Sequence, residues 1–136
     1  MLYIDDKNLQ ITKQEIYVGK FTNNGVKGYN ICIKIDFVNT DNANKGYLYL
    51  NAGFEKTNNL NTFLNRKYNG IPFDCDNEFI WFEVFDTDKF LDTEIESKII
   101  IKLGDIKDNK VKVFFELNDE LIKIKFDGHL DIINIL

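Results

Sequence analysis

The sequence predicts an all-β, or β-rich α+β, chain: an antiparallel β-sandwich or curved sheet of about eight or nine strands with one short helix near residues 57–68. Three observations lead there. Apolar and polar residues alternate with period two over most of the chain. Turn pairs such as Asn118-Asp119 and Asp127-Gly128 separate the alternating runs. Helical spacing is confined to one stretch. With 136 residues, 44% of them hydrophobic and a single proline, Pro72, the chain reads as one domain over 1–136, with no linker, repeat or low-complexity tract.

Short strands are expected at 2–4, 9–11 and 15–21. Ile31, Ile33, Ile35 and Phe37 then alternate with Cys32, Lys34 and Asp36. Leu48, Leu50, Ala52 and Phe54 alternate with Tyr47, Tyr49 and Asn51. Over 57–68, Leu60, Phe63, Leu64 and Tyr68 recur at helical spacing, with Thr57 or Asn58 to cap the start and Asn69-Gly70 to end the helix. The run 79–85 is apolar on both faces except Glu83, which predicts a central strand with Phe79 and Trp81 in the core. Ile95, Ile99, Ile101 and Leu103 share a face with Ser97.

The last third is the most explicit. Strands at 110–117 and 120–126, joined by Asn118-Asp119 with Leu117 opposite Glu120, put Val111, Val113, Phe115, Leu117, Ile122, Ile124 and Phe126 on one face. A second turn at Asp127-Gly128 follows. A two-residue loop there would force His129 and Asp131 onto the apolar face. A three-residue loop with a left-handed glycine instead sets Leu130 opposite Ile124 and Ile132 opposite Ile122, with His129 outward.

Several chemistries have no motif. Ser97 is the only serine and lies in a predicted strand without a GxSxG elbow, and His129 is the only histidine. No phosphate loop, dinucleotide fingerprint or HExxH is present. Cys32 and Cys75 lack metal or disulfide spacing and read as reduced thiols. A pI near 4.9 argues against nucleic-acid binding. No apolar run is long enough to span a bilayer as a helix and no leader pattern opens the chain, so a cytoplasmic protein is expected.

Charge is distributed unevenly. Residues 74–96 hold nine of the 22 acidic residues and one of the 17 basic ones, Lys89, while the rest of the chain is slightly positive. Phe79, Trp81, Phe82, Phe85 and Phe90 run through them. Such a mixture suits a cationic partner, because opposite charge steers the encounter and aromatic area holds the complex. The strand at 79–85 divides the acids into loops at 74–78 and 86–94, about 20–24 Å apart. The longer loop carries the candidate partner-binding residues Asp86, Asp88, Phe90, Asp92 and Glu94, joined by Tyr47 and Tyr49 on the outer face of their strand. The leading expectation is a non-enzymatic binding protein engaging a basic protein, in the manner of an inhibitor or immunity-type protein masking a cationic toxin.

The same loop supplies oxygen ligands for Ca²⁺ from Asp86, Asp88 and Asp92, although Leu91 and Ser97 replace the glycine and glutamate of an EF-hand. Val84-Phe-Asp-Thr-Asp-Lys-Phe90, an apolar strand, and then Gly128-His-Leu-Asp-Ile132 resemble the second calcium loop and last strand of the calcium-dependent membrane-binding sandwich modules of synaptotagmins. That resemblance implies Asp86 and Asp88 as calcium ligands, a first acidic loop at Asp36 and Asp41, and lipid or ligand binding. A carboxylate-based hydrolase is the third expectation.

Overall fold

The computed structural model describes the backbone at 1–23, 25–55, 67–70, 78–86, 89–92 and 99–135, and the side chains at 1–20, 22, 25, 27–53 and 99–133. Ten strands form one sheet: β1 (Leu2–Ile4), β2 (Leu9–Asn23), β3 (Val26–Asn39), β4 (Lys45–Glu55), β5 (Lys67–Gly70), β6 (Glu78–Asp86), β7 (Lys89–Asp92), β8 (Ile99–Lys107), β9 (Lys110–Asn118) and β10 (Lys123–Ile135). The order is β5-β8-β9-β10-β2-β3-β4-β6-β7, with β1 on β10. Only β10 and β2 pair in parallel among the described strands, which makes the sheet mixed.

The alternation read from the sequence becomes two rows of side chains, one buried and one not. Ile31, Ile33, Ile35 and Phe37 of β3 are buried, as are Leu48, Leu50 and Ala52 of β4 and Val111, Val113, Phe115 and Leu117 of β9. They form one cluster with Ile16 and Val18 of β2, Ile99, Ile101 and Leu103 of β8, and Ile124, Phe126, Leu130 and Ile132 of β10. Among the described residues the apolar row of one wing of the sheet is covered by that of the other. The sheet therefore curls into a half-barrel around its own inner face, because each wing has one apolar row that must leave water.

The structure departs from the sequence reading in particular places. The predicted helix lies mostly outside the described residues, but its expected end is not helical. Lys67 and Tyr68 open β5 and pair with Lys102 and Ile101. The strands expected at 9–11 and 15–21 are one strand, β2, in which the partner register slips between Ile11 and Lys13, leaving Thr12 as the extra residue of a bulge.

In the β9–β10 hairpin Leu117 faces Ile124, not Glu120, and the connection spans 119–122. The slip is even, so every residue keeps its expected face. No turn forms at Asp127-Gly128. β10 runs straight through, and Leu130 pairs with Val111 instead of folding back on Ile124. Gly128 does not adopt a positive φ; a Cβ there would stand 3.0 Å from Cζ of Phe126, whose ring covers it. The positive-φ turn is elsewhere, at Asp108 and Asn109 between β8 and β9, where two successive left-handed residues match the right-handed twist of a tight hairpin.

Candidate functional site

The sequence-predicted site residues are distributed by strand pairing. The 86–94 segment is not a long loop: Lys89–Asp92 is β7, paired with β6 so that Asp86 faces Lys89, Phe85 faces Phe90, Val84 faces Leu91 and Glu83 faces Asp92. Thr87 and Asp88, between those strands, and Glu94 lie outside the described residues, as do residues 71–77. Asp86 and Asp92 stand three residue pairs apart along the hairpin and in opposite rows, so the register does not gather them as ligands of one cation. Among the described residues no three His, Cys, Asp or Glu side chains form a metal-binding group.

On its other edge β6 pairs with β4, and here Tyr47 and Tyr49 join the acidic hairpin. Tyr47 faces Phe85 and Tyr49 faces Glu83. Residues directly opposite in an antiparallel ladder share a face. One row toward the β3–β4 turn therefore reads Phe90, Phe85, Tyr47, Asp36 and Lys13 across β7, β6, β4, β3 and β2. The next reads Asp92, Glu83, Tyr49, Lys34, Glu15 and Asp131. A third holds Trp81, Asn51, Cys32 and Tyr17. Phe79 and Trp81, expected in the core, thus take positions in the row opposite Leu50 and Ala52. Ile80, Phe82 and Val84 take the core row instead.

This outer face is chemically mixed. Tyr47 and Tyr49 are half-buried and Lys34 is exposed, whereas Glu15 is buried with Lys13 Nζ 3.8 Å from its carboxylate. The Tyr49 hydroxyl donates to Cys32 Sγ at 3.5 Å, and Asn30 Nδ2 donates to the same sulfur at 3.9 Å. Both contacts leave the sulfur as an acceptor. His129 is exposed on β10, opposite Lys112. Asn51 Oδ1, in the row of Cys32, is buried without a hydrogen-bond partner. At the corner of the face, Thr12, Asp36, Val38, Lys45, Gly46 and Tyr47 line an open recess of about 460 Å³.

The same end of the sheet collects acidic turns. Asp5 N–H donates to Lys123 O at 2.8 Å, and Lys123 N–H returns a bond to Asp5 Oδ1 at 2.9 Å, which binds the β1–β2 turn to the start of β10. Thr40 N–H donates to Asn8 O at 2.8 Å, and Asn8 Nδ2 reaches both carboxylate oxygens of Asp41 at 3.2 and 3.3 Å. The β1–β2 and β3–β4 turns are thereby stitched side by side. They bring Asp5, Asp6 and Asp41, all exposed, to the end at which β6 reaches Asp86.

Sequence reasoning identified Tyr47, Tyr49, Phe90 and Asp92 but had no means of joining them. Asp36, Glu83, Lys34 and Glu15 enter the face only through register, for which no local signal exists. Among the described residues no helix is long and apolar enough to cross a membrane. No protein-family model matches this chain, and no curated protein or solved structure matches it at a significant level.

Proposed function

We propose that this is a non-enzymatic binding protein that engages a basic macromolecular partner through the outer face of β4, β6 and β7 and the acidic turns beside it. An inhibitor or immunity-type protein masking a cationic toxin would act in this way. One observation carries the reading: strand register assembles Tyr47, Tyr49, Phe85 and Phe90 with Glu83, Asp92 and Asp36 into adjoining rows. Aromatic faces attract lysine and arginine through the ring quadrupole, and carboxylates beside them pair with the same cations. The recess at Asp36 and Tyr47 offers one cationic side chain a place to enter. Register sets Glu83 opposite Asp92, which puts two acidic residues side by side in one row of the ladder.

The two components should separate kinetically. Charge acts mainly on association and buried aromatic contact mainly on dissociation. With a partner captured from native lysate, changing Asp86, Asp88 and Asp92 together to Asn should slow association about tenfold or more and flatten its salt dependence. Tyr49→Ala should instead raise the dissociation rate. An unchanged association rate in the triple variant would overturn the proposal.

A further inference from the structure

Strand β2 bends at the Thr12 bulge, and beside the bend the outer face of β3 and β4 carries two charges without counter-ions among the described residues. Asp36 is half-buried and directly opposite Lys13, yet the Lys13 ammonium is turned to Glu15, 3.8 Å away. Lys45 is exposed on the next strand. Among the described residues neither Asp36 nor Lys45 has an ion pair or a side-chain hydrogen bond. Thr12, Asp36, Val38, Lys45 and Tyr47 line one open recess of about 460 Å³.

Register holds the two charges apart. Asp36 stands opposite Tyr47, so Lys45, two residues earlier in β4 and opposite Val38, is its diagonal neighbour on the same face, about 7–8 Å along the ladder. A half-buried carboxylate without a donor has given up water and gained nothing in exchange, so a cation that reaches it is favoured. A plain cation, however, meets the Lys45 ammonium, and a plain anion meets Asp36. A ligand carrying both signs satisfies both ends. In an α-amino acid the ammonium and the carboxylate stand about 2.5 Å apart, and with a hydrogen bond of about 2.8 Å at each end they bridge about 8 Å. The diagonal, adjusted by the long Lys45 stem, offers that span.

We propose that this recess binds a free α-amino acid with a large apolar side chain. The ligand's ammonium donates to Asp36 beside the Tyr47 ring, which attracts the same charge, and its carboxylate accepts from Lys45. The Thr12 hydroxyl, exposed at the bulge, adds a polar group at the rim. The side chain lies against Val38 and Tyr47, in a volume of about 460 Å³ that is ordinary for a small-molecule site and leaves room for an aromatic ring. The site shares Asp36 and Tyr47 with the face proposed above, but it stands on the recess alone and requires no macromolecular partner.

The test titrates the isotope-labelled full chain, followed by its amide shifts, with three compounds: L-phenylalanine, phenethylamine, which lacks the carboxylate, and N-acetylphenylalanine, which lacks the ammonium. L-Phenylalanine is expected to shift Asp36, Val38, Lys45 and Tyr47 with a Kd on the order of 1 mM, as a ligand of about a dozen non-hydrogen atoms allows. Each analogue should bind at least about tenfold more weakly. Lys45→Met, a change at an exposed position, should weaken L-phenylalanine about tenfold or more and leave phenethylamine no weaker, whereas Asp36→Asn should weaken both. Phenethylamine binding as tightly as L-phenylalanine would overturn the amino-acid site and leave the recess as an entry for a partner's cationic side chain. Equal binding of N-acetylphenylalanine, an unchanged L-phenylalanine affinity in Lys45→Met, or no shift with L-phenylalanine up to about 20 mM would overturn it as well.

Discussion

At the residue scale, the clearest coupling is between Phe126, Phe115 and Gly128. The two rings are cross-strand partners, 5.3 Å apart and nearly parallel at 19°, and Phe126 is fully buried. Phe126→Ala should lower unfolding free energy in urea by about 3–5 kcal/mol, since a large buried ring leaves a cavity. Gly128→Ala should cost about 1–3 kcal/mol for the opposite reason, as its methyl would press on the Phe126 ring. If Gly128→Ala proved neutral, the ring could not be seated over that position. The glycine is legible in the sequence, but its role is not. Beside Asp127 it has the composition of a turn, whereas the structure uses its missing side chain as space for a neighbour two residues away.

Elements show why some registers were readable and others were not. The face of every residue in the β9–β10 hairpin follows from parity, so an even slip of the partners leaves the apolar row intact although the turn is longer than expected. Parity cannot say where a strand stops. β10 continues through Asp127-Gly128 because β9 offers it partners as far as Lys110, and a continuous ladder satisfies more backbone groups than a turn would. The bulge at Thr12 and the pairing of β1 with β10 likewise have no local signature.

At the scale of the whole molecule, β10 holds the two wings together. It ladders to β9, to β1 and, in parallel, to β2, so among the described strands the hydrogen-bonded ladder joins the wing containing β8 and β9 to the wing containing β2, β3, β4 and β6 only through β10. A chain ending at residue 122 should lose cooperative thermal unfolding altogether, because each wing would expose the apolar row that the other covers. A sharp transition in that truncated chain would mean that one wing folds alone. The candidate face depends on the same assembly. Tyr47 and Asp92 are far apart in sequence and come into adjoining rows only because β6 pairs with β4 on one edge and β7 on the other.

The sequence by itself determined the β class, the buried member of each alternating pair in β3, β4, β9 and β10, the outward position of His129, and the uneven distribution of acid and aromatic residues. These follow from a period of two, which is local and survives any even change of register. Only the tertiary structure decided the partners: which strands neighbour which, that β7 pairs with β6, and that Tyr47 and Tyr49 stand beside β6 on its other edge. Pairing is a competition among distant segments for the same backbone donors and acceptors, and its outcome depends on the whole set of strands.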